Sequence, residues 1–195
     1  AIKNKIPMVA LFPNTNIKLK DKSGSEALNE NNLVSKAIVK IKKRYNNKIG
    51  IMCDVALDPY TTHGHDGILE KNEILNDKTI EILIKQSLLQ AQMGCDVIAP
   101  SDMMDGRIGE IRKVLDKNGY ENTQLLSYAV KYSSSFYGPF RDAIGSKKAL
   151  QGNKKTYQMD YSNLNEALRE VSIDIKEGAD MVMVKPGLPY LDIIK

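Results

Sequence analysis

Five short apolar runs, each followed by a loop rich in polar and special residues and then by a stretch of helical periodicity, constrain this chain more than any other feature. The runs lie at Pro7–Phe12, Lys48–Val55, Asp96–Ala99, Gln124–Val130 and Asp180–Lys185. In the last of them Met181, Val182, Met183 and Val184 follow one another without a polar residue, the pattern of a strand buried on both faces. Helical patterns are expected at Asn31–Tyr45, Asp77–Met93, Gly106–Asn118 and Leu164–Glu177. Gly94, Gly119 and Gly178 stand just past three of them, where helices commonly stop. Strands and helices that take turns in this way predict a parallel sheet with helical crossovers.

The unusual residues all follow strands: "DPYTTHGHDG", "PSDMMDG", "KYSSSFYGPFRDAIGSKKALQGNKKTYQM" and "KPGLPYLD". The helix-to-strand returns are short and plain. Chemistry gathered at the carboxyl ends of parallel strands fits a (β/α)8 barrel or a doubly wound sheet. No G-x-G-x-x-G fingerprint follows the first strand, which favours the barrel. The expected fold class is therefore α/β, a TIM barrel present as an incomplete barrel of about five parallel strands. A closed barrel takes about 250 residues, so residues 1–195 are expected to form one catalytic-barrel domain that is an internal piece of a longer enzyme.

Composition excludes several classes of function. At 42% hydrophobic, 27% charged and a formal net charge of +4, the chain reads as an ordinary globular domain. Its densest basic run, Lys40 to Arg44, alternates with apolar residues like the solvated face of a helix. No basic stripe is interleaved with stacking aromatics, so no nucleic-acid partner is expected. Cys53 and Cys95 each precede an aspartate inside an apolar run and read as buried free thiols in a reducing compartment. No apolar stretch approaches the roughly 18 residues of a membrane span, and "AIKNKIPMVALFP" reads as a strand rather than a signal peptide. A cytoplasmic protein without a membrane partner is expected.

Two lysines end strands: Lys131 in "LLSYAVKYSSS" and Lys185 in "MVMVKPG". A single lysine at such a place is ordinarily a surface residue whose stem lies along apolar neighbours. Two in equivalent places on adjacent strands mean something else. Each ammonium disfavours protonation of the other, and apolar walls add a desolvation cost, so one or both amines become neutral near pH 7. A neutral lysine amine attacks a carbonyl to form a Schiff base.

"DVALDPYTTHGHDG", "APSDMMDGR", "SYAVKYSSSFYGPFRDA" and "GADMVMVKPGLPYLDI" together closely resemble the porphobilinogen synthase (5-aminolevulinate dehydratase) family, over about residues 6–194. The resemblance implies a lyase of tetrapyrrole biosynthesis, leading to heme and chlorophyll. It would condense two molecules of 5-aminolevulinate to porphobilinogen with loss of two waters. It also implies that an N-terminal arm with a first strand precedes this segment and that two strands follow it. Lys185 would hold the substrate that supplies the propionate side of the product, and Lys131 the one that supplies the acetate side. Asp54 would move protons or hold a substrate amine, and Ser101 and Asp102 would meet the amino group or support Lys131. Tyr137 and Phe140 would wall the pocket, while Arg141 and Gln158 would clamp a carboxylate from a lid. Lys154 stands where family members often carry a second carboxylate-binding arginine, which predicts weaker or less directional binding there.

Metal use follows the same resemblance. Ala56, Asp58 and Asp66 stand where zinc-dependent members have three cysteines, and carboxylate oxygens suit magnesium better than zinc. No catalytic zinc is expected, and the chain resembles the magnesium-responsive branch; Asp58 and Asp66 are weak candidates as metal ligands. Glu170 matches a position that binds an allosteric Mg2+, although taken locally it reads as an exposed helix glutamate. His63 and His65 read as loop-shaping hydrogen-bonding residues before they read as ligands. The family implies a homo-octamer. Two alternatives stay open: another Schiff-base barrel enzyme of the aldolase kind, which needs one lysine, and a non-catalytic barrel remnant.

Overall fold

The structure, a computed structural model, describes residues 1–138 and 150–194. Its strands are β1 (Met8–Leu11), β2 (Gly50–Val55), β3 (Ile68–Glu70), β4 (Glu73–Leu75), β5 (Val97–Pro100), β6 (Gln124–Lys131) and β7 (Met181–Lys185). The helices are α1 (Leu33–Tyr45), α2 (Asn76–Gln92), α3 (Arg107–Lys117) and α4 (Leu164–Lys176). Five strands form one parallel sheet in the order β1-β2-β5-β6-β7. Spatial order follows chain order and never reverses. A doubly wound sheet reverses at its switch point, so this sheet is the wall of an incomplete barrel, as the alternation predicts.

Burial along the strands explains how the wall is held. In β2 the residues alternate, with Ile51, Cys53 and Val55 fully buried and Asp54 on the opposite face. The buried set packs with Ile98 and Leu125 of the sheet, Ile38 of α1, Leu83 of α2, and Ile108, Ile111 and Leu115 of α3. This apolar layer lies between sheet and helices and leaves the other face of β2 free to present a carboxylate. A smaller cluster of Val130, Tyr132, Met159 and Ala167 seats α4.

The amino ends of the strands carry a repeated staple. Asp96, just before β5, accepts the Ile51 N–H of β2 at 2.7 Å and the Lys42 ammonium of α1 at 2.7 Å. Asp180, just before β7, accepts the Leu125 N–H of β6 at 2.7 Å. Side-chain caps start two helices: Asn32 accepts from Ser35 N–H and Asn163 from Glu166 N–H. Gly94, Gly119 and Gly178 all have positive φ, as their place past the helix ends requires.

Three details depart from expectation. Element ends move by one or two residues; the second strand begins at Gly50 because Asn46–Lys48 forms a short 3-10 turn. A small antiparallel hairpin, β3 and β4, occupies a stretch given no structure from sequence. Its two-residue turn is made by Lys71 and Asn72, both with positive φ. Finally, β7 is not buried on both faces, since Val182 is 42% exposed. It pairs with β6 on one side and, among the described residues, ends the sheet on the other. No helix among the described residues is long and apolar enough to cross a membrane.

Gly67 lets the start of α2 approach the loop that carries Asp66. A Cβ added there would lie 2.7 Å from Thr79 Oγ1 and 2.9 Å from Ile74 Cγ2, and the Thr79 hydroxyl already accepts from Ile68 N–H and donates to Leu75 C=O. Gly67→Ala is expected to destabilise the fold by about 1–3 kcal/mol, the usual cost of overpacking. A urea titration checks it, and an unchanged midpoint would contradict the close approach.

Candidate active site

Lys131 and Lys185 are direct register partners at the carboxyl ends of β6 and β7. An irregularity in the pairing produces this match. Ser127 faces Val182, but Val130 faces Val184, so β6 carries one extra residue between them. Without that bulge Lys185 would face Val130, and the two lysines would stand on different levels. Bulges commonly re-aim side chains beside active sites in this way.

The surroundings of the two amines differ. Lys131 is 7% exposed; its ammonium donates to Asp66 Oδ2 at 3.3 Å and to the Ser101 carbonyl. Burial pushes it toward neutrality, but Asp66, Asp58 and Asp54 outweigh that cost and hold its pKa above the ordinary lysine value. The Lys185 amine lies 4.8 Å from the ring centre of Tyr128, 5.5 Å from Phe12 and 6.0 Å from Tyr137. Desolvation first, and then the Lys131 ammonium, lower its pKa to about 8 despite the nearby aspartates. At pH 7 roughly one Lys185 in ten is neutral, against fewer than about one in a thousand for an ordinary lysine. Only one amine of the pair is thus lowered, where two like charges alone would lower both. The difference is the carboxylate beside Lys131.

That carboxylate, Asp66, has no solvent exposure and serves two cations. Its Oδ1 accepts from Lys154 at 2.5 Å while its Oδ2 faces Lys131. Burial would lift its pKa, but the two ammoniums hold it below the ordinary carboxylate range. Lys154 also reaches Asp58 Oδ2 at 3.4 Å. Burial lifts the Asp58 carboxyl against the pull of Lys154. Asp54 is raised to about 6 by burial and by Asp58, offset by Ser101, Lys131 and Lys185. A group titrating there can both take and give a proton near neutrality. Together Phe12, Pro13, Asp54, Asp58, Pro59, Ser101, Lys131 and Lys185 line one pocket.

The other residues singled out from sequence fall in three places. Tyr137 is buried, with its ring centre 6.0 Å from the Lys185 amine. Asp102 accepts from Met104 N–H at 2.7 Å and lies 3.4 Å from Arg107 Nε, turned toward the start of α3 and away from the lysine pocket. Burial raises Asp102 to about 6 against the pull of Arg107. Gln158 is buried and lines a second cleft together with Glu170, Asp105 and Glu166. Phe140 and Arg141 lie outside the described residues.

Metal ligands can be tested against the same geometry. Among the described residues no three His, Cys, Asp or Glu side chains converge on one point. At Asp58 and Asp66 the negative charge is already met by Lys154 and Lys131. Glu170 is half-buried on α4, and burial, Asp174 and Asp105 raise its carboxyl. Glu170 shares the second cleft with Asp105 and Glu166, and a magnesium ion that keeps most of its waters needs only one or two carboxylates.

Sequence reasoning missed Phe12 and Tyr128, which wall Lys185. The rule that found the lysines, attention to strand ends, applies equally to Phe12. Tyr128 lies within β6, and its approach to Lys185 depends on the bulge, which has no plain sequence mark.

Comparison with known proteins gives the family of the chain. The family model described as Delta-aminolevulinic acid dehydratase matches residues 1–195. A Delta-aminolevulinic acid dehydratase of Bradyrhizobium diazoefficiens is 60% identical over the whole chain, which covers 55% of that protein. The chloroplastic enzyme of Glycine max is 53% identical over 96% of the chain, covering 45% of its own length. A crystal structure of the Toxoplasma gondii enzyme, in complex with the reaction product porphobilinogen, superposes with a TM-score of 0.92 at 48% identity, over 95% of this chain and 53% of that one. The chain thus spans about half the length of the relatives it matches. With a parallel half-barrel, two lysines in register and a family match over every residue, the chain belongs to the delta-aminolevulinic acid dehydratase family.

Proposed function

We propose that the intact protein is a porphobilinogen synthase, a lyase that condenses two 5-aminolevulinate molecules through lysine Schiff bases in tetrapyrrole biosynthesis. The observation that carries this reading is the pairing of Lys131 and Lys185 in register with unequal electrostatics. The neutral Lys185 amine adds to a substrate ketone, the resulting carbinolamine loses water, and an imine remains. Lys131 is protonated at rest and must give up its proton before it can do the same. Asp66 and Asp54 stand close enough to bias that transfer. Ser101 holds the Lys131 ammonium through its carbonyl, and Lys154, a buried cation on Asp58 and Asp66, would meet a substrate carboxylate. An aldolase-type enzyme needs only one such lysine, so the register pair favours the two-substrate reaction.

The finer points belong to the same proposal. Magnesium of an allosteric kind would be held near Glu170, where it would supply positive charge to an acidic cleft; no catalytic zinc is used. Two buried free thiols support a reducing, cytoplasmic setting. Assembly is a homo-octamer by likeness to the family. Residues 1–195 belong to one catalytic-barrel domain, of which they form an internal part.

Incubation with 5-aminolevulinate, borohydride reduction and peptide mass spectrometry test the chemistry. Label is expected on Lys185, alone or shared with Lys131, and lost in Lys185→Met. A folded protein that takes no label would support the remnant reading. Exhaustive chelation tests the metals: added Mg2+ is expected to raise activity in the wild type and not in Glu170→Gln. Zinc retained in the loop 56–66 would contradict this assignment.

A further inference from the structure

His65 lies outside the lysine pocket and is only 5% exposed, yet both of its ring nitrogens are engaged by one distant segment. Nε2 is 2.7 Å from the Gln151 carbonyl and Nδ1 is 3.0 Å from the Tyr157 hydroxyl. A carbonyl can only accept, so Nε2 carries the proton, and in the neutral ring Nδ1 must then accept from Tyr157. The Tyr157 oxygen is in turn placed to accept the Asp66 N–H at 3.4 Å. His63 adds to the same seam: its carbonyl accepts the Gln151 N–H at 3.0 Å, and its Nδ1 accepts the His65 N–H at 3.2 Å.

These contacts bracket one residue. Lys154 lies between Gln151 and Tyr157, and the Gln158 N–H donates to the Lys154 carbonyl at 2.9 Å. Farther on, the Met159 N–H donates to the Lys131 carbonyl at 3.0 Å. A lysine stem costs considerable rotamer entropy to fix, and Lys154 has its ammonium on the buried Asp66. The imidazole of His65, the residue before Asp66, holds the segment on both sides of Lys154, at the Gln151 carbonyl and at the Tyr157 hydroxyl.

We propose that His65 and Tyr157 are positioning residues. They pin segment 151–158 onto the loop 57–66, so that Lys154 is held over Asp58 and Asp66 and ready to meet a substrate carboxylate. The pinning stands on geometry alone, while its effect on substrate binding rests on the proposed reading of Lys154. The hydroxyl of Tyr157 acts through His65 and Asp66 and is not among the groups that line the lysine pocket.

Tyr157→Phe tests this in the intact protein, because it keeps the ring packed against His65 and removes only the hydroxyl. Losing a buried hydrogen bond of ordinary strength is expected to speed amide hydrogen exchange in 151–158 by about tenfold, with the strands unchanged. The KM for 5-aminolevulinate is expected to rise by a similar factor while kcat moves much less. His65→Gln, which retains a donor and an acceptor, is expected to recover part of what His65→Ala loses. Unchanged exchange in Tyr157→Phe would overturn the pinning. Faster exchange with an unchanged KM, alongside a Lys154→Met variant whose KM is also unchanged, would support the pinning and remove the carboxylate reading of Lys154. Faster exchange with a raised KM in Lys154→Met only would overturn the positioning role.

Discussion

The Asp66 carboxylate, buried between the ammonium groups of Lys131 and Lys154, is the interaction on which the site depends. Two buried lysines without an anion between them would be costly, because each loses its hydration and repels the other. With Asp66 in place the loop after β2, the end of β6 and the segment 150–158 are tied to one point. A carboxylate can do this only where the fold delivers it without solvent, and Gly67 permits the loop to lie that close to α2.

The same pair of oxygens divides the labour of the lysines. Asp66 takes part of the positive charge of Lys131, while Lys185, one strand away, sits among aromatic rings and bears the desolvation cost with less compensation. The sign of the linkage follows from this. A lysine whose folded pKa lies below its unfolded value opposes folding at pH below about 8, and the penalty fades as pH rises from there toward 10.5. The fold accepts that cost at the position where a neutral amine is chemically useful. The staples at Asp96 and Asp180, at the other end of the strands, are spent on holding the sheet.

Much of this was legible in the residues. Alternating apolar runs and helical patterns implied the parallel sheet, and Gly94, Gly119 and Gly178 marked helix ends because positive φ is hard for other residues. Lysines ending two apolar runs pointed to the pocket. What was not legible depends on relations between distant segments. The bulge in β6 shows only in pairing with β7, and the exposure of Val182 shows only when the sheet's edge is known. That Asp102 turns to Arg107, or that Lys154 sits on Asp58 and Asp66, follows from packing across tens of residues. The Lys71-Asn72 turn could have been read locally, since Asn tolerates positive φ and is flanked by "ILE" and "EIL".

The central claim is that a carboxylate environment, and not strand position alone, separates the two amines. It is tested most directly by titrating the lysine side chains of the intact protein by nitrogen NMR, with Lys131→Met and Lys185→Met for assignment. The account predicts that Lys185 loses its proton near pH 8, while Lys131 stays protonated above the ordinary lysine value of 10.5. Two amines titrating together, or Lys131 losing its proton first, would contradict it.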